Sequence, residues 1–215
     1  MASTVEDTGT ARPVPAGSRF GGSGFGTAAR PVRPTGVPLR TRSFFGGIEM
    51  TVQTVPDGYT TVTPWVLSHD TAALIDYLTD AFGALELPGS RFVGADGRIG
   101  HAEVRIGDAI VMMFDIDPTI PAPPAFLRLY VEDADEVHRR AVAAGGTSVT
   151  EVTHLFFGDR VGRVRDPFGN LWWIQSRVEE VTPEEMERRL VDPEFVAAMA
   201  YVQSARFFPE QPSAE

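Results

Sequence analysis

His101 and Glu103 stand two residues apart in GHAEVRIG, so on a β-strand their side chains project from one face. A histidine beside a carboxylate can move a proton as an acid/base pair or offer two donors to a divalent metal. The same pair can also be a hydrogen-bonded histidine beside a sheet, and the spacing leaves these readings open. Asp159 and Arg160, at the start of DRVGRVRD, form a second candidate. Asp159 could act as a further acid/base group and Arg160 could bind a ligand carboxylate or phosphate; a turn cap and an ordinary salt bridge are the plainer alternative. The other histidines are His69, at a helix start and expected near a cavity mouth, His138, expected on a helix surface, and His154, on a strand.

The missing residue types narrow the chemistry further. No cysteine occurs in the 215 residues, which excludes disulfides, thiol nucleophiles and thiolate metal sites. All 19 of the Lys+Arg residues are arginine, which excludes Schiff-base lysine chemistry. A formal net charge of -10 speaks against a nucleic-acid partner, which requires a basic face. No apolar run is long enough to span a bilayer, so no membrane partner is expected, and no apolar leader marks a secretory signal. The lack of cysteine fits a reducing cytoplasm, the expected location. No cofactor is predicted.

The elements that must position these residues can be read in order. Residues 1–58 are rich in Pro, Gly, Ser and Arg without apolar periodicity, and read as a disordered N-terminal extension; Met50 could open translation. A β-branched strand is expected over Thr60–Leu67, then a helix capped by Asp70 and stopped by Gly83. ALELPGSRF, GHAEVRIG and AIVMMFD read as three strands, the last two joined at Gly107-Asp108. After the proline-rich DIDPTIPAPP the order repeats: strand AFLRLYV, a helix capped by Asp133 and ended by Gly145 and Gly146, then three strands, the last two joined by DPFGN. The modules cover 59–115 and 125–178 within one domain of 59–180. Residues 181–215 form a helical tail, with caps at Thr182 and Asp192 each followed by proline.

Four stretches carry a family resemblance: TPWVLSHDTAALIDYLTDAFGA, GRIGHAEVRIGDAIVMMFD, LRLYVEDADEVHRRAVAAGG and FFGDRVGRVRDPFGNLWWIQS. Together they resemble the PhnB-like branch of the glyoxalase/bleomycin-resistance/dioxygenase (vicinal oxygen chelate) superfamily. The resemblance implies an α+β fold in which two βαβββ modules form a half-open sheet cavity. It also implies a homodimer, since many members are dimers, some with exchanged halves. Catalytic members hold a divalent metal on strand positions that here correspond to Thr63, Met112 or Met113, Phe126 and Trp173. None of these is His, Asp or Glu, so the resemblance implies a cavity without that metal. The expected function is metal-independent binding of an aromatic or polycyclic small molecule, in resistance, sequestration or secondary metabolism. Trp65, Met113, Phe126, Phe156, Arg160 and Trp173 are its expected contacts. Two alternatives stand beside it. One is a metal-free cyclase, isomerase or lyase with His101, Glu103 and Asp159 as acid/base groups. The other is a metalloenzyme with displaced ligands such as His69, His101 and Glu103.

Overall fold

A computed structural model describes the backbone of residues 42–45 and 48–207, and the side chains of residues 52–207. The hairpin comes first, as β1 (Arg42–Phe45) and β2 (Ile48–Thr51), antiparallel with Phe45 opposite Ile48. This departs from the expected disorder over 1–58. Residues 1–41 lie outside the described part of the chain.

The first module runs β3 (Trp65–Ser68), α1 (Thr71–Phe82), β4 (Leu85–Glu86), β5 (Phe92–Val93), β6 (Ile99–Ile106) and β7 (Ala109–Asp115). β3 begins at Trp65 rather than Thr60. Pro64 has no N–H to give a ladder, and the hydroxyls of Thr60 and Thr63 donate to the backbone carbonyls of Val62 (2.6 Å) and Thr60 (3.2 Å). Such local bonds hold the segment out of the sheet. Similarly, Pro88 and Gly89 (φ 75°) split the single strand expected over ALELPGSRF into the fragments β4 and β5, both paired with β6. The second module is more regular: β8 (Phe126–Tyr130), α2 (Ala134–Ala143), β9 (Thr147–His154), β10 (Asp159–Arg165) and β11 (Leu171–Arg177). In each module the first strand is parallel to the last, β3 to β7 and β8 to β11, and the remaining pairs are antiparallel. The result is two sheets with helices between them, an α+β fold of two βαβββ modules. α3 (Pro183–Leu190) and α4 (Pro193–Gln203) follow. No helix among the described residues is long and apolar enough to cross a membrane.

The caps read from sequence act as such. Asp70, Asp133, Thr182 and Asp192 accept backbone N–H bonds from Ala73, Glu136, Glu185 and Glu194, satisfying donors that a helix start leaves open. Gly107 takes φ 59° at the β6–β7 turn, where a Cβ would be strained.

One core joins both modules. Leu74, Leu78, Ala102, Val104 and Met113 of the first pack with Ala141, Val164, Trp172 and Ile174 of the second, across α1 and α2. The Phe82 and Trp172 rings lie 4.8 Å apart in it. Gly162 lets α2 lie directly on β10, since a Cβ there would fall 2.9 Å from the His138 ring. His138, expected at the surface, is instead buried at this contact. Its Nε2 lies 3.1 Å from the Thr150 carbonyl oxygen, a partner on β9 that helix periodicity cannot anticipate.

Asp115 closes the first module. Its carboxylate accepts from the backbone N–H of Thr71, at the start of α1, and of Ile99, at the start of β6, both at 2.7 Å. Burial pushes this carboxyl up, but the donors from Thr71 and Ile99 outweigh it and hold it below its ordinary value of 3.8. A depressed carboxyl contributes stability above its ordinary pKa and loses it as pH falls through the folded value. Asp115→Ala strands two backbone donors and is expected to cost about 1–3 kcal/mol for each at pH 7. In urea unfolding, the gap between variant and parent should narrow at pH 3; a gap unchanged by pH would show that the carboxylate charge is not what matters.

Candidate functional site

Strand alternation assigns most side chains in these sheets to the shared core or to the opposite, outer face. On the first sheet the outer face carries Trp65, His101, Glu103, Met112 and Phe114. Glu103 stands opposite Met112, and Trp65 beside Met112. His101 Nε2 lies 3.0 Å from Glu103 Oε1, and the Tyr59 hydroxyl donates to Glu103 Oε2 at 2.6 Å. The carboxylate is buried, and Ser90 Oγ accepts its backbone N–H. The hydrogen bond to Glu103, with some burial and then the carboxylate's charge, raises the Tyr59 phenol above its ordinary value. The face therefore holds a three-member chain, Tyr59–Glu103–His101, that can relay a proton. Tyr59 was not anticipated: it lies outside any strand and 44 residues from Glu103. Trp65 meets Phe114 edge-on at 5.3 Å.

The outer face of the second sheet carries Phe126, Arg128 and Tyr130 from β8, Trp173 and Gln175 from β11, and Asp159, Val161 and Arg163 from β10. The C-terminal segment crosses it. Val202 of α4 is buried against Leu155 and Val161, and the backbone N–H of Glu151 on β9 donates to the Tyr201 hydroxyl at 2.9 Å. Arg163 Nη1 donates to the Val202 carbonyl at 2.8 Å, and Arg165 Nη2 to that of Phe207 at 2.9 Å. Phe207 then reaches Trp173 and Phe126, with ring centroids 6.1 and 6.3 Å away. Between α4 and the sheet remains a cavity of about 410 Å³, whose walls include Arg128, Tyr130, Phe157, Arg163, Trp173 and Gln175. That volume lies within the range of small-molecule sites, roughly 300–1,000 Å³.

The expected site residues divide on this geometry. His101 and Glu103 are brought together on one outer face, with Trp65 on the same face; Trp173 and Phe126 share the other. Asp159 also lines the cavity, buried, with its Oδ2 accepting from Gln175 Nε2. Three expected contacts fall elsewhere. Met113 is fully buried in the shared core, because strand alternation puts Met112 on the outer face in its place. Arg160 points to the helix side and binds Asp135 at the start of α2 through two bonds of 2.8 and 2.7 Å; it holds that carboxyl below its ordinary range. Phe156 lines a separate groove with Leu190, Phe195 and Met199 of the tail, while its neighbour Phe157 takes the cavity wall. His69 is exposed at the entry to α1, and His154 Nε2 lies 2.8 Å from the Glu179 carboxylate.

A metal on the family's strand positions does not fit these residues. Thr63 lies in the loop before β3, and the outer-face neighbours at the other positions are Met112, Phe126 and Trp173. Arg163 stands 4.0 Å and Arg128 4.9 Å from the Trp173 ring centre, so a divalent cation there would meet two guanidinium charges. Among the described residues no three His, Asp or Glu side chains form a group able to hold a metal ion.

Comparison with known proteins gives the relationship. A family model described as Glyoxalase/Bleomycin resistance protein/Dioxygenase superfamily matches residues 60–174. The chain is 35% identical over 137 residues to an uncharacterised protein of Mycobacterium bovis, covering 59% of this chain and 89% of that one. Among solved structures, TioX from Micromonospora sp. ML1 aligns with a TM-score of 0.47 and 26% identity, over 55% of this chain and 99% of TioX. A PhnB protein from Bacillus cereus aligns with a TM-score of 0.41 and 17% identity, over 56% and 100%.

The two adjacent methionines test the assignment of faces. Met113→Ala is expected to cost about 2–5 kcal/mol of stability by opening a core cavity, whereas Met112→Ala should change it by less than about 1 kcal/mol. Chemical denaturation of both variants checks this; equal losses would contradict the register of β7.

Proposed function

The chain belongs to the glyoxalase/bleomycin resistance protein/dioxygenase superfamily, and from that premise we propose that it binds an aromatic small molecule without a metal ion. The observation that carries this reading is the cavity beneath α4, walled by Trp173, Tyr130 and Phe157 on the face where metal-dependent relatives keep ligands. Rings cannot donate a lone pair to Zn²⁺, Mn²⁺ or Fe²⁺. They can strip water from a planar ligand, gaining roughly 25 cal/mol per Å² of apolar area removed, with edge or offset ring contacts adding to it. Sequestration, resistance or a step in secondary metabolism would each use such binding.

The working unit in this proposal is a homodimer. Trp65, Phe126 and Tyr130 are 58%, 50% and 65% exposed on the outer faces, more aromatic surface than a lone chain usually leaves to water. Each outer face turns away from the core that the modules share. A second copy could set its first-module face against the part of this chain's second-module face that α4 leaves open, where Phe126 and Tyr130 are exposed. The His101–Glu103–Tyr59 chain of one copy would then face the aromatic cavity of the other. That arrangement favours a second reading, a metal-free cyclase, isomerase or lyase in which His101 and Glu103 move a proton on the bound ligand.

Native mass spectrometry of the purified full chain reads ligand, metal and subunit number together; a two-chain mass with an organic adduct is expected. Light scattering that gives one chain mass throughout the micromolar range would remove the dimer. Trp173→Ala should weaken binding of an aromatic probe by about tenfold or more. After exposure to Zn²⁺, Mn²⁺ and Fe²⁺ and then dialysis, the protein should retain well under one equivalent of any. Near-stoichiometric metal that is lost in His101→Ala or Glu103→Ala would replace this reading with a displaced metal centre. Conversion of the captured ligand in chelator, abolished by His101→Ala, would favour the second reading.

A further inference from the structure

We infer that the ligand of the cavity beneath α4 is an aromatic anion, whose carboxylate or similar oxyanion is held between Arg128 and Arg163. This rests on the proposal that the cavity is the ligand site, and adds the charge of its occupant.

Two guanidinium groups converge on the Trp173 ring, at 4.0 Å for Arg163 and 4.9 Å for Arg128. Among the described residues neither forms an ion pair. Elsewhere Arg91 pairs with Glu86, Arg139 with Glu136, and Arg160 with Asp135; Arg140 and Arg165 also keep a buried Nε without a partner, but neither lines this cavity. Arg163 is the more demanding of the two. It is only 5% exposed, its Nη1 donates to the neutral Val202 carbonyl, and its buried Nε has no hydrogen-bond partner. Burial, and then the charge of Arg128, push its pKa down. The Trp173 and Phe207 rings offer cation–π attraction, and the C-terminal end of α4 adds a partial negative charge. Neither supplies the full counter-charge that a buried cation needs.

An oxyanion at this end of the cavity would supply that charge and an acceptor for the donors left over, since a guanidinium presents five N–H groups in a fork matched to carboxylate geometry. The cavity does contain one carboxylate, but Asp159 lies four residues from Arg163 along β10, about 13 Å of strand, and accepts from Gln175. The cationic end is therefore left to the ligand. Tyr130 and Phe157 form the apolar wall against which the rest of the ligand would pack.

The test compares 2-naphthoate with its neutral isostere 2-naphthamide, titrated calorimetrically into the full-length protein and its variants. Naphthoate is expected to bind at least tenfold more tightly than naphthamide. Arg128→Met should remove most of that preference, weakening naphthoate far more than naphthamide. Arg163→Met should do the same where it folds; because Arg163 also anchors α4, the Arg128 variant decides. Equal affinities for the two probes, or a preference that survives Arg128→Met, would overturn the charge assignment and leave the aromatic site standing. Binding of neither probe would overturn both.

Discussion

A strand has two faces, and both modules give one of them to a single core. Leu74 and Leu78 of α1 and Ala141 of α2 lie in that core with Ala102, Met113, Val164 and Trp172 from the two sheets. Once α1 and α2 are packed between the sheets, period-two alternation decides the rest. Whatever is polar, aromatic or chemically capable at the other positions must lie on an outer face. His101 and Glu103 share their strand with Ala102 and Val104, and Arg163 and Trp173 theirs with Val164 and Trp172. The same constraint turns the two candidate faces away from the common core.

The buried carboxylate of Asp166 is held by a small closed network. Asp166 accepts from the backbone N–H of Phe168 and Asn170, from the Asn170 side chain, and from the Trp172 indole N–H at 2.9 Å. Burial still pushes its carboxyl up against the pull of these donors. Asn170 in turn accepts from the Ala125 N–H, tying the start of β8 to the turn before β11. The DPFGN turn thus fixes the register of the strands that carry Phe126, Arg128 and Trp173. Leaving such donors unmatched costs about 1–3 kcal/mol each, so the turn positions the cavity floor without lining the cavity itself.

The tail converts an open sheet into a cavity. α4 docks through Val202, Ala198 and Met199 onto Leu155 and Val161, and Phe207 continues the crossing to Phe126 and Trp173. Arg163 of β10 takes the Val202 carbonyl in the last turn of α4, where a finished helix leaves acceptors open, and Arg165 takes the carbonyls of Arg206 and Phe207 just beyond it. A second anchor, in which Arg189 binds both Glu179 and Glu185, ties α3 to the end of β11. Arg163 is therefore both a strap for the tail and the charge at the cavity's end.

Local chemistry made much of this legible in the sequence. Asp70, Asp133, Thr182 and Asp192 act over three residues, and the twofold βαβββ order follows from periodicity and turn residues close together in the chain. The pairing of His101 with Glu103 was equally local. Local signals failed where a distant partner decides the outcome. Nothing in VMMFD says which methionine meets α1; nothing in DRVGRVR says that Arg160 turns to Asp135 while Arg163 turns to Trp173 and Val202. His138 is buried because β9 passes over it, and Tyr59 reaches Glu103 from outside any strand. The sequence by itself determined the helices with their caps and the order of the two modules, since those depend on neighbours within about one turn of chain. Only the tertiary structure decided which face of each strand is core, where the tail lies and which arginines are left without an acid, since each depends on contacts between residues far apart in the chain.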